Sequence, residues 1–131
     1  FLVRSNVIKQ TTSTVFVGVD SGQNHLLRPK LYDAYHEITN LSNPHGTKRI
    51  YSVVGYICEA DTLAYDRQLN EVREGDVLAI HNAGAYAISM SSNYNSRFRP
   101  AEVLIYNGKA HLIRKRETFE DLMKTQVSVE I

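Results

Sequence analysis

Ala101-Glu102-Val103-Leu104-Ile105-Tyr106-Asn107-Gly108-Lys109-Ala110-His111-Leu112-Ile113-Arg114 is the stretch that decides the fold class. Two short apolar runs flank Asn107-Gly108. Asn and Gly tolerate positive φ at both central positions of a tight turn, so a type I′ turn can join strands over residues 101–106 and 110–114 as a hairpin. The same grammar recurs along the chain. Short runs rich in Val, Ile and Tyr are broken by Gly, Asn, Asp and Pro, which is the mark of strands joined by turns. Further strands are expected over residues 14–19, 49–57, 77–80 and 85–90.

Only two helices are expected. One begins near Pro29, a residue tolerated at the first helical position, and continues through residues 31–36, with Leu31, Ala34 and Tyr35 sharing a face. The other starts from Thr118 as N-cap, with Asp121 three residues later as a variant capping box. Residues 40–48, with Pro44 and Gly46, read as an exposed loop. These elements imply a mainly β fold class: a mostly antiparallel barrel or closed sandwich with two short helices.

At 131 residues, one domain with a real core is expected. A net charge of +1 gives no electrostatic reason to expect nucleic acid or an anionic membrane as partner. No segment approaches the roughly 20 apolar residues of a membrane-spanning helix. Cys58 is the single cysteine, so no intrachain disulfide framework is possible, and a reduced thiol suits a cytoplasmic setting. His25, His36, His45, His81 and His111 are dispersed without metal-ligand spacing, and no metal site is expected. The chain opens on Phe1 without an initiator Met or a signal-peptide pattern, and is read as a piece of something longer.

Several residues can carry chemistry. Arg28, at the head of the expected helix, can clamp a carboxylate bidentately, and Tyr32 lies one helical turn further on the same face. A structural ion pair is the other local reading of Arg28. Cys58-Glu59 places a tunable thiol beside a carboxylate able to bind an ammonium; both reach one ligand only if the chain turns there. The alternative is an inert cysteine beside a surface glutamate. Gly84-Ala85-Tyr86 offers close backbone approach and a phenol for a phosphate oxygen, or simply packing.

In order, Val19-Asp20-Ser21-Gly22, Arg28-Pro29-Lys30-Leu31-Tyr32, Val54-Gly55-Tyr56-Ile57-Cys58-Glu59, Gly75-Asp76, Ala83-Gly84-Ala85-Tyr86, Ser92-Asn93-Tyr94-Asn95-Ser96-Arg97 and Arg99-Pro100-Ala101-Glu102-Val103 resemble the diaminopimelate decarboxylases over roughly residues 15–122. The resemblance implies that residues 1–131 are the C-terminal β-domain, a Greek-key barrel or sandwich like that of alanine racemase. An N-terminal (β/α)8 barrel would hold pyridoxal 5'-phosphate on a Schiff-base lysine outside this chain. It implies that Arg28 and Tyr32 bind a carboxylate of meso-diaminopimelate, and that Tyr86 contacts substrate and cofactor. Cys58 is then the catalytic proton donor, and Glu59 reads the distal ammonium. It further implies a head-to-tail homodimer in which Cys58 and Glu59 serve the partner's site. Cys58-Glu59-Ala60-Asp61 is one residue shorter than the family's usual Cys-Glu-Ser-Gly-Asp, so Asp61 is not placed in the site. A decarboxylase of ornithine, arginine or carboxynorspermidine, and a non-catalytic β-barrel binding module, are the competing readings. A second lysine-pathway domain fused upstream is compatible with either enzyme.

Overall fold

In the computed structural model, which describes residues 1–130, the first strand, β1 (Leu2–Gln10), buries Val3 and Ser5 and exposes Leu2 and Arg4. This is the two-residue alternation of a strand with one face on a core. β2 (Val15–Val19) pairs antiparallel with β1 and buries Val17, Gly18 and Val19. The chain then makes a long crossover. It passes through a one-turn helix, α1 (Arg28–Tyr32), and a short strand, β3 (Ile38–Asn40), before β4 (Lys48–Val54) runs parallel to β2. A parallel pair cannot be joined by a tight turn, so this excursion is a consequence of the pairing itself. β5 (Thr62–Asn70) returns antiparallel to β4, and β6 (Val77–Ile80) pairs antiparallel with both β1 and β3.

The six strands lie in the order β3-β6-β1-β2-β4-β5, and the two edge strands approach each other, so the sheet curls into a nearly closed barrel. Val3, Val17, Val19, Leu26, Ile38, Val53, Leu63, Leu69, Leu78 and Ile80 fill it. Each such side chain stabilises the fold by roughly 1.5–3 kcal/mol on leaving water. Tyr51 is also buried, and its hydroxyl accepts a hydrogen bond from the Val72 amide at 3.1 Å. Asn40 is buried too. Its amide donates to the Glu71 carbonyl and the Asp76 carboxylate at 2.8 Å each, which helps to close the seam.

The chain length suggests one domain; the contacts divide it into two compact units, Phe1–Ser91 and the segment from Ser92 onward. The second unit holds a 3-10 turn (Tyr94–Ser96) and the hairpin β7 (Glu102–Tyr106) and β8 (Lys109–Arg114). It also holds a helix that begins after the Thr118 cap, whose amide donates to Asp121 at 2.9 Å. Asn107 and Gly108 both have positive φ, 48° and 71°, as the type I′ turn requires. Glu117 ties this unit together by accepting from the Asn93 side chain, the Arg99 amide and the Arg99 guanidinium.

Three expectations need correction. Residues 85–90 are not a strand. They lie in and after a second short helix, α2 (Gly84–Ala87), with Ala87 N donating to Ala83 O at 2.8 Å; the last helix, Phe119–Met123, is therefore α3, and the helices among the described residues number three. Alanines at 83, 85 and 87 favour the helix, and Ala83 and Ala87 meet the core on one face. The first helix does not continue to residue 36. Asp33, at φ 53°, ends it in the left-handed region, so Ala34 and Tyr35 do not share its face. The strand expected over residues 49–57 stops at Val54, where the chain turns into a bend.

Candidate functional site

Because β2 and β4 are parallel, both leave the sheet at the same end, and the segments beyond them lie side by side. After β2 comes Asp20-Ser21-Gly22; after β4 comes Gly55 through Asp61. The Tyr56 amide donates to the Ser21 carbonyl at 3.1 Å. The Asn24 amide group donates to the Tyr56 hydroxyl at 3.3 Å, and Ser21 Oγ lies 2.9 Å from His25 Nδ1, deep in the protein. Leu26, 1% exposed, then anchors the first segment in the core just before α1 begins.

Asp61 joins the two segments. One carboxylate oxygen accepts from the Gln23 amide at 2.7 Å, the other from the Ile57 amide at 2.9 Å, and its carbonyl accepts from the Gly55 amide at 2.6 Å. Gly22 and Gly55 flank it so closely that a Cβ on either would overlap Oδ2. Burial pushes the Asp61 carboxyl above the usual carboxylate range, against the opposing pull of the Ile57 and Gln23 amides and the Lys30 charge. Asp61 is not among the residues that the sequence singles out for the site. No local sequence signal marks it, because Gly22 and Gly55 become its neighbours only through the parallel pairing of β2 with β4.

Cys58 and Glu59 sit on the bend that these bonds hold, and both are exposed. The turn needed for neighbouring side chains to serve one ligand is therefore present, spanning residues 56–59. A strand continuing to residue 57 would have excluded it.

Arg28 and Tyr86 are brought together from distant parts of the chain. The Arg28 guanidinium carbon lies 4.7 Å from the centre of the Tyr86 ring. α2 sets the tyrosine: Ala83 is buried, Ala87 packs on the core, and Tyr86 stays on the exposed side. A cation–π contact of this kind near the surface is worth about 0.5–1 kcal/mol. The guanidinium also carries in-plane N–H donors. Those donors and the phenol form a set suited to an anionic oxygen cluster, a carboxylate or a phosphate. Tyr32 is one helical turn from Arg28 and largely exposed. Cys58 and Glu59 lie on the separate bend after β4. A cleft of about 120 Å³ beside α1, lined by Pro29, Asp33, Ala34 and Arg67 among others, includes none of the five candidate residues. It is small against the roughly 300–1,000 Å³ of ligand pockets.

Comparison with known proteins places the chain in a family. Residues 1–84 match the family model of the pyridoxal-dependent decarboxylase C-terminal sheet domain. The diaminopimelate decarboxylase of Methanothermobacter thermautotrophicus is 53% identical over 95% of the chain, which spans 29% of that protein. The crystal structure of the diaminopimelate decarboxylase of M. jannaschii superposes with a TM-score of 0.91 at 43% identity, over 98% of this chain and 30% of that one. That of Helicobacter pylori, solved in complex with L-lysine, gives 0.85 at 39% identity over 94% and 30%. The chain thus spans about 30% of the length of the relatives it matches.

Proposed function

The chain belongs to the family of pyridoxal-dependent decarboxylase C-terminal sheet domains, and on that premise we propose that it is the C-terminal part of a diaminopimelate decarboxylase, which converts meso-2,6-diaminopimelate to L-lysine and CO2. The observation that carries this reading is the near-complete overlap of the chain with diaminopimelate decarboxylases. The rest of the enzyme, on this reading, is an N-terminal (β/α)8 barrel bearing the cofactor lysine. The whole acts as a cytoplasmic head-to-tail homodimer. No helix among the described residues is long and apolar enough to cross a membrane.

In the reaction, the bond to the departing carboxylate breaks, its electron pair stays on carbon, and a proton takes the place of CO2. Pyridoxal phosphate, when bound, supplies the sink that delocalises that pair. The pair of half-buried Arg28 and exposed Tyr86 fits its phosphate and a substrate carboxylate, because a guanidinium fork and a phenol both donate to anionic oxygens. In this arrangement Arg28 and Tyr32 hold the substrate carboxylate and fix which end of the molecule reacts. Tyr86 contacts substrate and cofactor. Glu59 accepts hydrogen bonds from the distal ammonium, which separates diaminopimelate from amino acids lacking that centre. Cys58 holds the proton at Sγ and delivers it to the carbon that has lost CO2.

The test is a decarboxylation assay on the intact protein with pyridoxal phosphate. Lysine from meso-diaminopimelate, with little turnover of ornithine, arginine or carboxynorspermidine, is the expected result. Preference for one of the other three moves the assignment to that branch. No turnover of any of the four overturns it in favour of a binding module.

A further inference from the structure

We propose that Asp61 is a positioning residue for the Cys58–Glu59 pair: its buried carboxylate clamps the segment after β4 onto the segment after β2 and thereby holds the bend in the one conformation that presents both side chains. The inference rests on the reading of Cys58 and Glu59 as functional groups.

Three observations converge. Asp61 is 6% exposed, and each of its carboxylate oxygens accepts a backbone N–H from a different segment, Gln23 at 2.7 Å and Ile57 at 2.9 Å. Ile57 immediately precedes Cys58, so this bond sets the direction in which the chain enters the bend. The Asp61 carbonyl takes the Gly55 amide at 2.6 Å, which closes the bend at its start. The slot around the carboxylate is also shaped for it, since Gly22 and Gly55 leave room only because they lack side chains. A Cβ on Gly55 would come within 2.6 Å of Gly22 Cα besides overlapping the carboxylate.

A charge buried this way is a poor device for stability alone, because desolvation offsets much of what its hydrogen bonds gain. Two donors from separate segments, held in register by one rigid acceptor, give a defined geometry instead. A misplacement of about 1 Å at a reacting group costs up to roughly a hundred-fold in rate, so such a clamp matters to a proton donor.

The experiment uses the intact enzyme with two variants. Asp61→Asn keeps the size of the side chain but turns one acceptor into an N–H donor facing a backbone N–H. Gly22→Ala leaves the carboxylate in place chemically and pushes it from its slot. Three readouts are taken: kcat and KM for diaminopimelate, iodoacetamide alkylation followed at the Cys58 peptide by mass spectrometry, and amide hydrogen exchange of the peptide containing Ile57. The expected result for both variants is a fall in kcat of roughly ten- to a hundred-fold with KM changed less than about three-fold. The alkylation rate should change at least about three-fold, and exchange at Ile57 should quicken, as a loosened bend requires. A folded Asp61→Asn enzyme with wild-type kcat, alkylation and exchange overturns the proposal. So does a fall in kcat that only tracks the folded fraction. If Asp61→Asn does not fold, Gly22→Ala decides by the same criteria. If the wild-type protein turns over no diaminopimelate, the decarboxylase reading fails, and exchange and alkylation at the bend still decide the role of Asp61.

Discussion

Cys58 is exposed on a bend, with a carboxylate on the next residue. A thiol that delivers a proton to carbon acts in the chemical step and contributes little to holding the substrate. Cys58→Ala in the intact enzyme should therefore lower kcat by roughly 10²–10⁴-fold, the usual range for a lost general acid, with KM nearly unchanged. Steady-state kinetics checks this, and unchanged kcat removes Cys58 from the mechanism. Asp61 allows a test that needs no activity. Burial raises its pKa, with Glu59 adding in the same direction and the Ile57 and Gln23 amides and Lys30 opposing. A raised folded-state pKa means that the folded chain binds the proton more tightly than the unfolded one. That contribution to stability is present below the unfolded value and is lost as pH rises through the folded value. The stability of wild type relative to Asp61→Asn should thus decline as pH climbs through the acid range and level off above the raised pKa. Denaturant unfolding at a series of pH values reads the sign, and a difference that grows with pH would contradict it.

The hairpin β7–β8 shows what a single turn is worth at the level of an element. Gly108 has φ 71°, and a Cβ placed there would meet nothing within 4 Å, so the cost of a side chain is conformational and not steric. Gly108→Ala should destabilise the hairpin by about 1 kcal/mol. Amide exchange in Val103–Ile105 and Leu112–Ile113 should quicken several-fold, and unchanged protection would show that the turn does not hold the strands. This hairpin is readable in the sequence because Asn107-Gly108 determines it locally, and the Thr118–Asp121 cap is readable for the same reason. β1 and β5 are not. β1 puts Ser5 at an inward position, and β5 carries Asp66, Arg67 and Gln68, so neither offers a clean apolar alternation. Their pairing comes from partners far along the chain. The helix at Gly84–Ala87 reads wrongly as a strand because the alternating Ala85, Ala87 pattern fits either element until Ala83 and Ala87 find the core. The site is legible in part. Arg28, Tyr32, Cys58, Glu59 and Tyr86 stand out by residue type and order, but the stacking of Arg28 on Tyr86 and the clamp at Asp61 depend on the crossover and on the parallel β2–β4 pairing, and no local pattern encodes those.

At the scale of the whole molecule, the proposed reading has the chain lend side chains to a reaction whose cofactor lysine lies in the remainder of the enzyme. The hairpin exposes Val103, Ile105, Leu112 and Ile113 together with Leu104 and Tyr106, so apolar side chains face water on both of its sides. A surface of this kind is expected where a domain normally meets other protein. If the complete enzyme is a two-fold dimer whose sites draw Cys58 and Glu59 from one subunit and Arg28, Tyr32 and Tyr86 from the other, subunit mixing separates that arrangement from a self-contained site. A Cys58→Ala subunit keeps Arg28, and an Arg28→Ala subunit keeps Cys58. In the hybrid, one site receives both intact residues and the other receives neither. Random exchange makes half of the dimers hybrid, each with one working site, so mixing two nearly inactive variants should restore about a quarter of wild-type activity. With sites confined to one subunit, every site in the mixture would lack one residue, and no recovery would result. Mass spectrometry under native conditions establishes that hybrids have formed. Absence of recovery in their presence would mean that each subunit supplies its own Cys58, and the pair would have to reach Arg28 within one chain.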